Sequence, residues 1–134
     1  MDHLIGVGEV TFFVPDVARA RTWLAGLLGS EPVFAHSQFV AFRVGDQSIG
    51  LHPEDLKTPS GVAGQVAYWR VPDLDAAVSH FQAHGCTLLR GPITGIDGAR
   101  VCQLVDPFSN AWGIIQESEH EVADGRSNGS RRDS

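Results

Sequence analysis

Two stretches of the chain share one grammar. Residues 14–29 read VPDVARARTWLAGLLG and residues 71–85 read VPDLDAAVSHFQAHG. In each, a β-branched residue meets a proline, which lacks an N–H and so stops a strand. The aspartate that follows can accept from a free N–H of a first helical turn, and its charge suits the positive end of the helix dipole. Apolar residues then recur at helical spacing: Val17, Ala20, Trp23, Leu24, Leu27 and Leu28 in the first copy, and Leu74, Ala77, Val78 and Phe81 in the second. Gly29 and Gly85 stand where a helix closes in the left-handed conformation. A chain written twice builds two like modules, and any shared chemistry belongs between them.

The flanking residues extend the repeat. EVTFFV (9–14) and residues 66–71 read as strands before each helix. After the helices come FVAFRV (39–44) and QSIGL (47–51), then ARVCQLV (99–105) and AWGII (111–115), each pair split by turn residues. One further short strand is expected near 32–35 and near 86–89. Each module is therefore strand, helix, strand, strand, strand, giving an α+β class. With 134 residues and 43% apolar side chains, the chain suits one domain of two halves sharing a core. The modules span about 5–56 and 64–116, inside a domain of residues 1–116. Residues 117–134 offer almost nothing to bury and read as a disordered tail.

The net charge of −6 comes with no basic stripe, so nucleic acid is not expected as a partner. No secretory segment or membrane-length apolar run is present, and a cytoplasmic protein is expected. Cys86 and Cys102 form no CxxC and read as reduced, buried thiols. His80 and His84 have a metal-capable spacing but are expected on the solvent face of their helix, and His3, His36 and His120 lie in terminal or loop segments. Asn128-Gly129-Ser130 matches a glycosylation acceptor by chance. Gly6-Val7-Gly8 lacks the rest of a dinucleotide fingerprint, and no nucleophile elbow or phosphate loop occurs.

The doubled βαβββ unit, the V-P-D at each helix start, the stretch YWRVPDLDAA (68–77) and the turn Asp106-Pro107-Phe108-Ser109-Asn110 together resemble the glyoxalase, bleomycin-resistance and extradiol-dioxygenase superfamily. The turn is similar to that family's D-P-x-G-N, with Ser109 in place of Gly. The resemblance covers about residues 5–116 and implies two modules whose mixed sheets curl into a cup, usually completed in a homodimer. It further implies metal ligands seven residues before each capping aspartate and three residues after the turn asparagine. Those positions hold Glu9, Val66 and Gly113 here, and the duplicated pattern adds Gly50. Only Glu9 among the four can bind a metal, so no metal or other cofactor is expected.

Strand alternation sends Val10, Phe12 and Val14 under the first helix and Glu9, Thr11 and Phe13 into the cup. By the same parity Val66, Tyr68 and Arg70 face inward, joined by Ser48, Gly50 and His52 and by Ala111 and Gly113. Phe39 and Trp112 are further aromatic candidates whose facing depends on strand boundaries. Glycines at the ligand positions are expected to leave an open floor on which a flat ligand lies, with Phe13 and Tyr68 stacking and Glu9 and Arg70 at its edge. The resulting expectation is a metal-independent protein that sequesters a bulky aromatic natural product. The alternatives are a metal-dependent lyase, isomerase or dioxygenase with a rearranged Glu9–His52 site, and a metal-free enzyme with Glu9 as general base.

Overall fold

A computed structural model describes residues 7–63, 65–95 and 98–118. Its elements run β1 (Glu9–Val14), α1 (Val17–Leu28), β2 (Phe34–His36), β3 (Phe39–Val44), β4 (Gln47–Pro53), β5 (Tyr68–Arg70), α2 (Leu74–Ala83), β6 (Thr87–Thr94), β7 (Arg100–Val105) and β8 (Ala111–Gln116). Two four-stranded mixed sheets result, ordered β1-β4-β3-β2 and β5-β8-β7-β6. In each, the strand before the helix pairs parallel with the last strand of its own module, and the other pairs are antiparallel. This is the α+β architecture expected from the doubled pattern.

The helix starts follow from the capping aspartates. The Asp16 carboxylate accepts from Arg19 N at 3.1 Å. Asp73 accepts from Ala76 N at the same distance, 3.1 Å. Gly29 closes α1 in the left-handed region at φ 68°. At the end of α2 the cap is His84, and Gly85 takes the left-handed turn one residue later at φ 87°. The strand before α2 shrinks to Tyr68–Arg70, shorter than residues 66–71 suggest. The strands after the helices lie at 34–36 and 87–94.

One core serves both modules. Val14, Leu24, Phe42 and Ile49 of the first are as deeply buried as Leu74, Leu104 and Ile114 of the second. Across the seam the rings of Phe12 and Trp112 stack, with centroids 4.6 Å apart and planes 16° from parallel. Trp23 of α1 donates its Nε1–H to the His84 carbonyl at 2.7 Å. Asn110 ties the turn to the first module, donating to the Phe13 carbonyl and accepting from Gly61 N, both at 2.9 Å. Residues 1–6 and the expected tail beyond Ser118, with His3, His120 and Asn128, lie outside the described residues. No described helix is long and apolar enough to cross a membrane.

Candidate functional site

The strand faces turned away from the helices carry most of the candidate residues. On the first sheet the register aligns Glu9 with Ser48, Thr11 with Gly50 and Phe13 with His52. Neighbours aligned across a ladder share a face, so these six residues form one surface. Thr11 Oγ1 donates to Glu9 Oε2, and Ser48 Oγ donates to Glu9 Oε1 at 3.3 Å. The Glu9 carboxylate is thus held by two hydroxyls. Phe39 reaches the same surface from β3.

Gly50 is covered rather than open. A Cβ built there would stand 2.6 Å from Glu9 Oε2 and 2.9 Å from Phe39 Cε1. The second module repeats the arrangement, since a Cβ on Gly113 would lie 2.7 Å from Tyr68 Cδ1. Tyr68 crosses β8 over Gly113, and its hydroxyl accepts from Gln103 Nε2 on β7 at 2.7 Å. The bare floor expected from the two glycines is therefore roofed by the chain's own side chains. Missing carboxylates made room for neighbours to fold across.

The rearranged Glu9–His52 metal site does not assemble. Glu9 pairs with Ser48 and His52 with Phe13, so the two lie four residues apart along neighbouring strands. That is about 13 Å at 3.3 Å per residue, whereas two donors to one ion sit within roughly 4 Å of each other. The His52 ring instead tilts against Phe13 at 5.1 Å, and its Nδ1–H reaches the Pro53 carbonyl at 2.8 Å. Among the described residues no group of three or more His, Cys, Asp or Glu side chains is placed to hold a metal ion.

Trp112 is corrected from ligand surface to core. It is 3% exposed, stacks on Phe12, and donates Nε1–H to Asp106 Oδ2 at 2.9 Å. Its neighbour Gly113 takes the opposite face, as alternation requires. Gln103, which fixes Tyr68, escaped the sequence reading; the parity of the strand at 99–105 was the signal that would have found it.

Among the described residues the candidates divide between two grooves of a single chain. Glu9, Thr11 and Phe13 line a cleft of about 800 Å³ with Val66, Ala111 and the loop residues Thr58 and Gln65. Tyr68 and Arg70 line an adjoining groove of about 520 Å³ with Val44 and Gln47, the two grooves sharing Val7, Val10 and Ala67. Both grooves follow the seam beside β1 and β5. Arg70 is exposed and has no ion-pair partner among the described residues.

The turn that carries Asn110 is rigid for electrostatic reasons. Asp106 is buried and accepts from Phe108 N, Asn110 N and Trp112 Nε1 at 2.8, 3.0 and 2.9 Å. Burial raises its carboxyl above the ordinary aspartate range, opposed by those three hydrogen bonds. Ser109 sits at φ 74°, the left-handed conformation that explains glycine in the similar turn.

With this geometry in view, the comparisons decide the lineage. The sequence profile of the glyoxalase/bleomycin resistance protein/dioxygenase superfamily matches residues 6–114. The chain belongs to that superfamily. No curated protein is significantly similar. Solved structures share the superfamily fold. A family enzyme from Burkholderia phytofirmans PsJN aligns with TM-score 0.71 at 18% identity, covering 83% of this chain and 98% of that one. A glyoxalase/bleomycin resistance protein from Catenulispora acidiphila aligns at TM-score 0.64 and 22% identity, covering 84% and 100%. A lactoylglutathione lyase from Agrobacterium tumefaciens aligns at TM-score 0.66 and 19% identity, covering 86% and 96%. At these identities the superfamily likeness speaks for fold alone.

Proposed function

We propose that this superfamily member is a metal-independent binding protein that sequesters a bulky aromatic natural product on the strand faces of its modules, in the manner of a resistance protein. The supporting observation is the filling of the positions where the superfamily carries ligands. Gly50 lies beneath Glu9 and Phe39, and Gly113 beneath Tyr68. Swinging Tyr68 aside breaks its bond from Gln103 and moving Glu9 breaks those from Thr11 and Ser48, and the freed Tyr68 and Phe39 rings then stack on a planar guest. Each well-made stack contributes about 0.5–1.5 kcal/mol beyond area burial. Arg70 and Glu9 supply charges for the polar edge of the guest.

The reading includes a cytoplasmic homodimer. Phe34 on β2 and Leu89 and Ile93 on β6 are 54%, 48% and 47% exposed, apolar side chains on the edge strands of the two sheets that a second copy would cover. Cys86 and Cys102 are buried and unbridged, in keeping with a reducing compartment. A second reading, a metal-free enzyme with Glu9 as base, draws on the two hydroxyls that hold its carboxylate.

The test is a tryptophan-fluorescence titration of chelator-treated protein with anthracycline and other polycyclic aromatic natural products. Saturable binding without metal, weakened about tenfold or more in Tyr68→Ala, is the expected result. Conversion of a compound only after metal is restored, abolished by Glu9→Ala, overturns the reading in favour of a chelate enzyme.

A further inference from the structure

We propose that His80 and His84, in and just after the last turn of α2, form a binding site for a divalent first-row transition ion of the copper, nickel or zinc class. The proposal is independent of the function argued above. Residues four apart on a helix share a face, and the two ring centroids are 4.5 Å apart. Rings at that separation lie within the span that two metal–nitrogen bonds of about 2.0–2.1 Å can bridge after a small side-chain rotation.

Each ring is already oriented by a carbonyl. His80 Nε2 lies 2.7 Å from the Leu27 oxygen, and His84 Nδ1 lies 2.8 Å from the His80 oxygen. A carbonyl only accepts, so the engaged nitrogen of each ring carries the hydrogen. The lone pairs of the neutral rings therefore reside on His80 Nδ1 and His84 Nε2. An imidazole whose second nitrogen donates to a carbonyl has its tautomer and ring orientation fixed, the usual surroundings of a metal-binding histidine. Imidazole donors suit copper, nickel and zinc rather than magnesium or calcium. His80 is exposed, so water can complete the shell.

The position joins the two modules. Leu27 belongs to α1, and Trp23 of α1 donates to the His84 carbonyl at 2.7 Å. An ion held by both histidines closes this clasp and stabilises the native state by mass action. Copper or nickel held there also lies near Trp23, whose indole donates to the His84 carbonyl, and both ions quench tryptophan fluorescence. A further consequence concerns assays of the strand faces: metal found in the bulk protein does not by itself report on Glu9.

The test is a nickel chloride titration of the full chain, followed by tryptophan fluorescence and calorimetry, with His3 and His120 replaced by alanine in every sample. One nickel per chain, quenched fluorescence and a raised Tm are expected. His80→Gln and His84→Gln should each weaken binding by about tenfold or more, while Glu9→Gln leaves it unchanged. Unchanged affinity in a folded His80→Gln/His84→Gln chain overturns the proposal, as does absence of binding. Nitrogen NMR of the parent protein needs no variant: nickel must perturb the His80 and His84 ring signals first, and signals that stay put overturn the proposal equally.

Discussion

Glu9 lies across Gly50, its Oε2 only 2.6 Å from where a Cβ on residue 50 would stand. In the second module Tyr68 lies across Gly113 in the same way, but there the Ala67 carbonyl also comes within 2.8 Å of the missing Cβ. The two glycines serve different masters. At Gly50 the obstacles are the far ends of movable side chains, whereas at Gly113 one of them is backbone.

Gly50→Ala is accordingly expected to cost less than Gly113→Ala, because Glu9 and Phe39 can yield, while ejecting the Glu9 carboxylate from its place. Gly113→Ala must shift β5 and is expected to cost about 1–3 kcal/mol, the range for overpacking. Urea unfolding of the two variants side by side checks the contrast. Equal losses would show that Gly50 too is held by something other than movable side chains.

Asp106 anchors the turn through three donors, and its carboxylate serves the Trp112 indole with the oxygen that asparagine would replace by an NH₂. Asp106→Asn therefore sets donor against donor and is expected to lower stability by about 1–3 kcal/mol. The pH dependence has a definite sign. Burial raises this carboxyl in the folded state, so the folded chain holds the proton more tightly than the unfolded one. Its contribution to stability falls as pH rises above about 4, the ordinary aspartate value, through the raised one. Asp75 acts oppositely: the Arg100 guanidinium holds its carboxyl low, so its contribution is lost as pH falls. Unfolding curves across this range should lose the downward component in Asp106→Asn and keep the Asp75 component.

Ser109 occupies a left-handed conformation at φ 74°. Removing the side chain relieves about 1–2 kcal/mol of crowding against roughly 0.5–1 kcal/mol of added chain entropy. Ser109→Gly is expected to raise the Tm slightly, and a lowered Tm in calorimetry would mean that the serine makes a compensating interaction.

Burial pushes the Cys86 thiol up to about 12, and raises Cys102 as well. Thiolate is the reactive form, so neither cysteine should react with Ellman's reagent at pH 8 in native protein, and both should react at once in denaturant. Rapid labelling of folded protein would contradict the buried placement.

Much of this was legible in the sequence because it rests on local chemistry. The capping aspartates, the left-handed Gly29 and the alternation in β1 each depend on a few neighbouring residues. So does the facing of Tyr68 and Arg70 against Trp69. Two kinds of information were missing. Register along a strand pair cannot be read from one strand alone, and it is register that separates Glu9 from His52. The other is which side chain fills an empty place. The glycines announced lost carboxylates, yet only three-dimensional contact shows Glu9, Phe39 and Tyr68 folded into the space. Trp112 needed neither, since its core position follows from alternation with Gly113 on one strand once the strand bounds are known. His80 and His84 were expected to face solvent; the His84 partner is a carbonyl one turn back, but the Leu27 carbonyl that meets His80 depends on how the modules pack.

On the reading proposed above, the strand faces bind organic ligands without a metal. Its most direct test is the metal content of the His80→Gln/His84→Gln chain, loaded with manganese, iron, nickel and zinc and then desalted, measured by mass spectrometry with and without Glu9→Ala. Far less than one ion per chain is expected, with no effect of Glu9→Ala. Near-stoichiometric metal that vanishes with Glu9→Ala would contradict it.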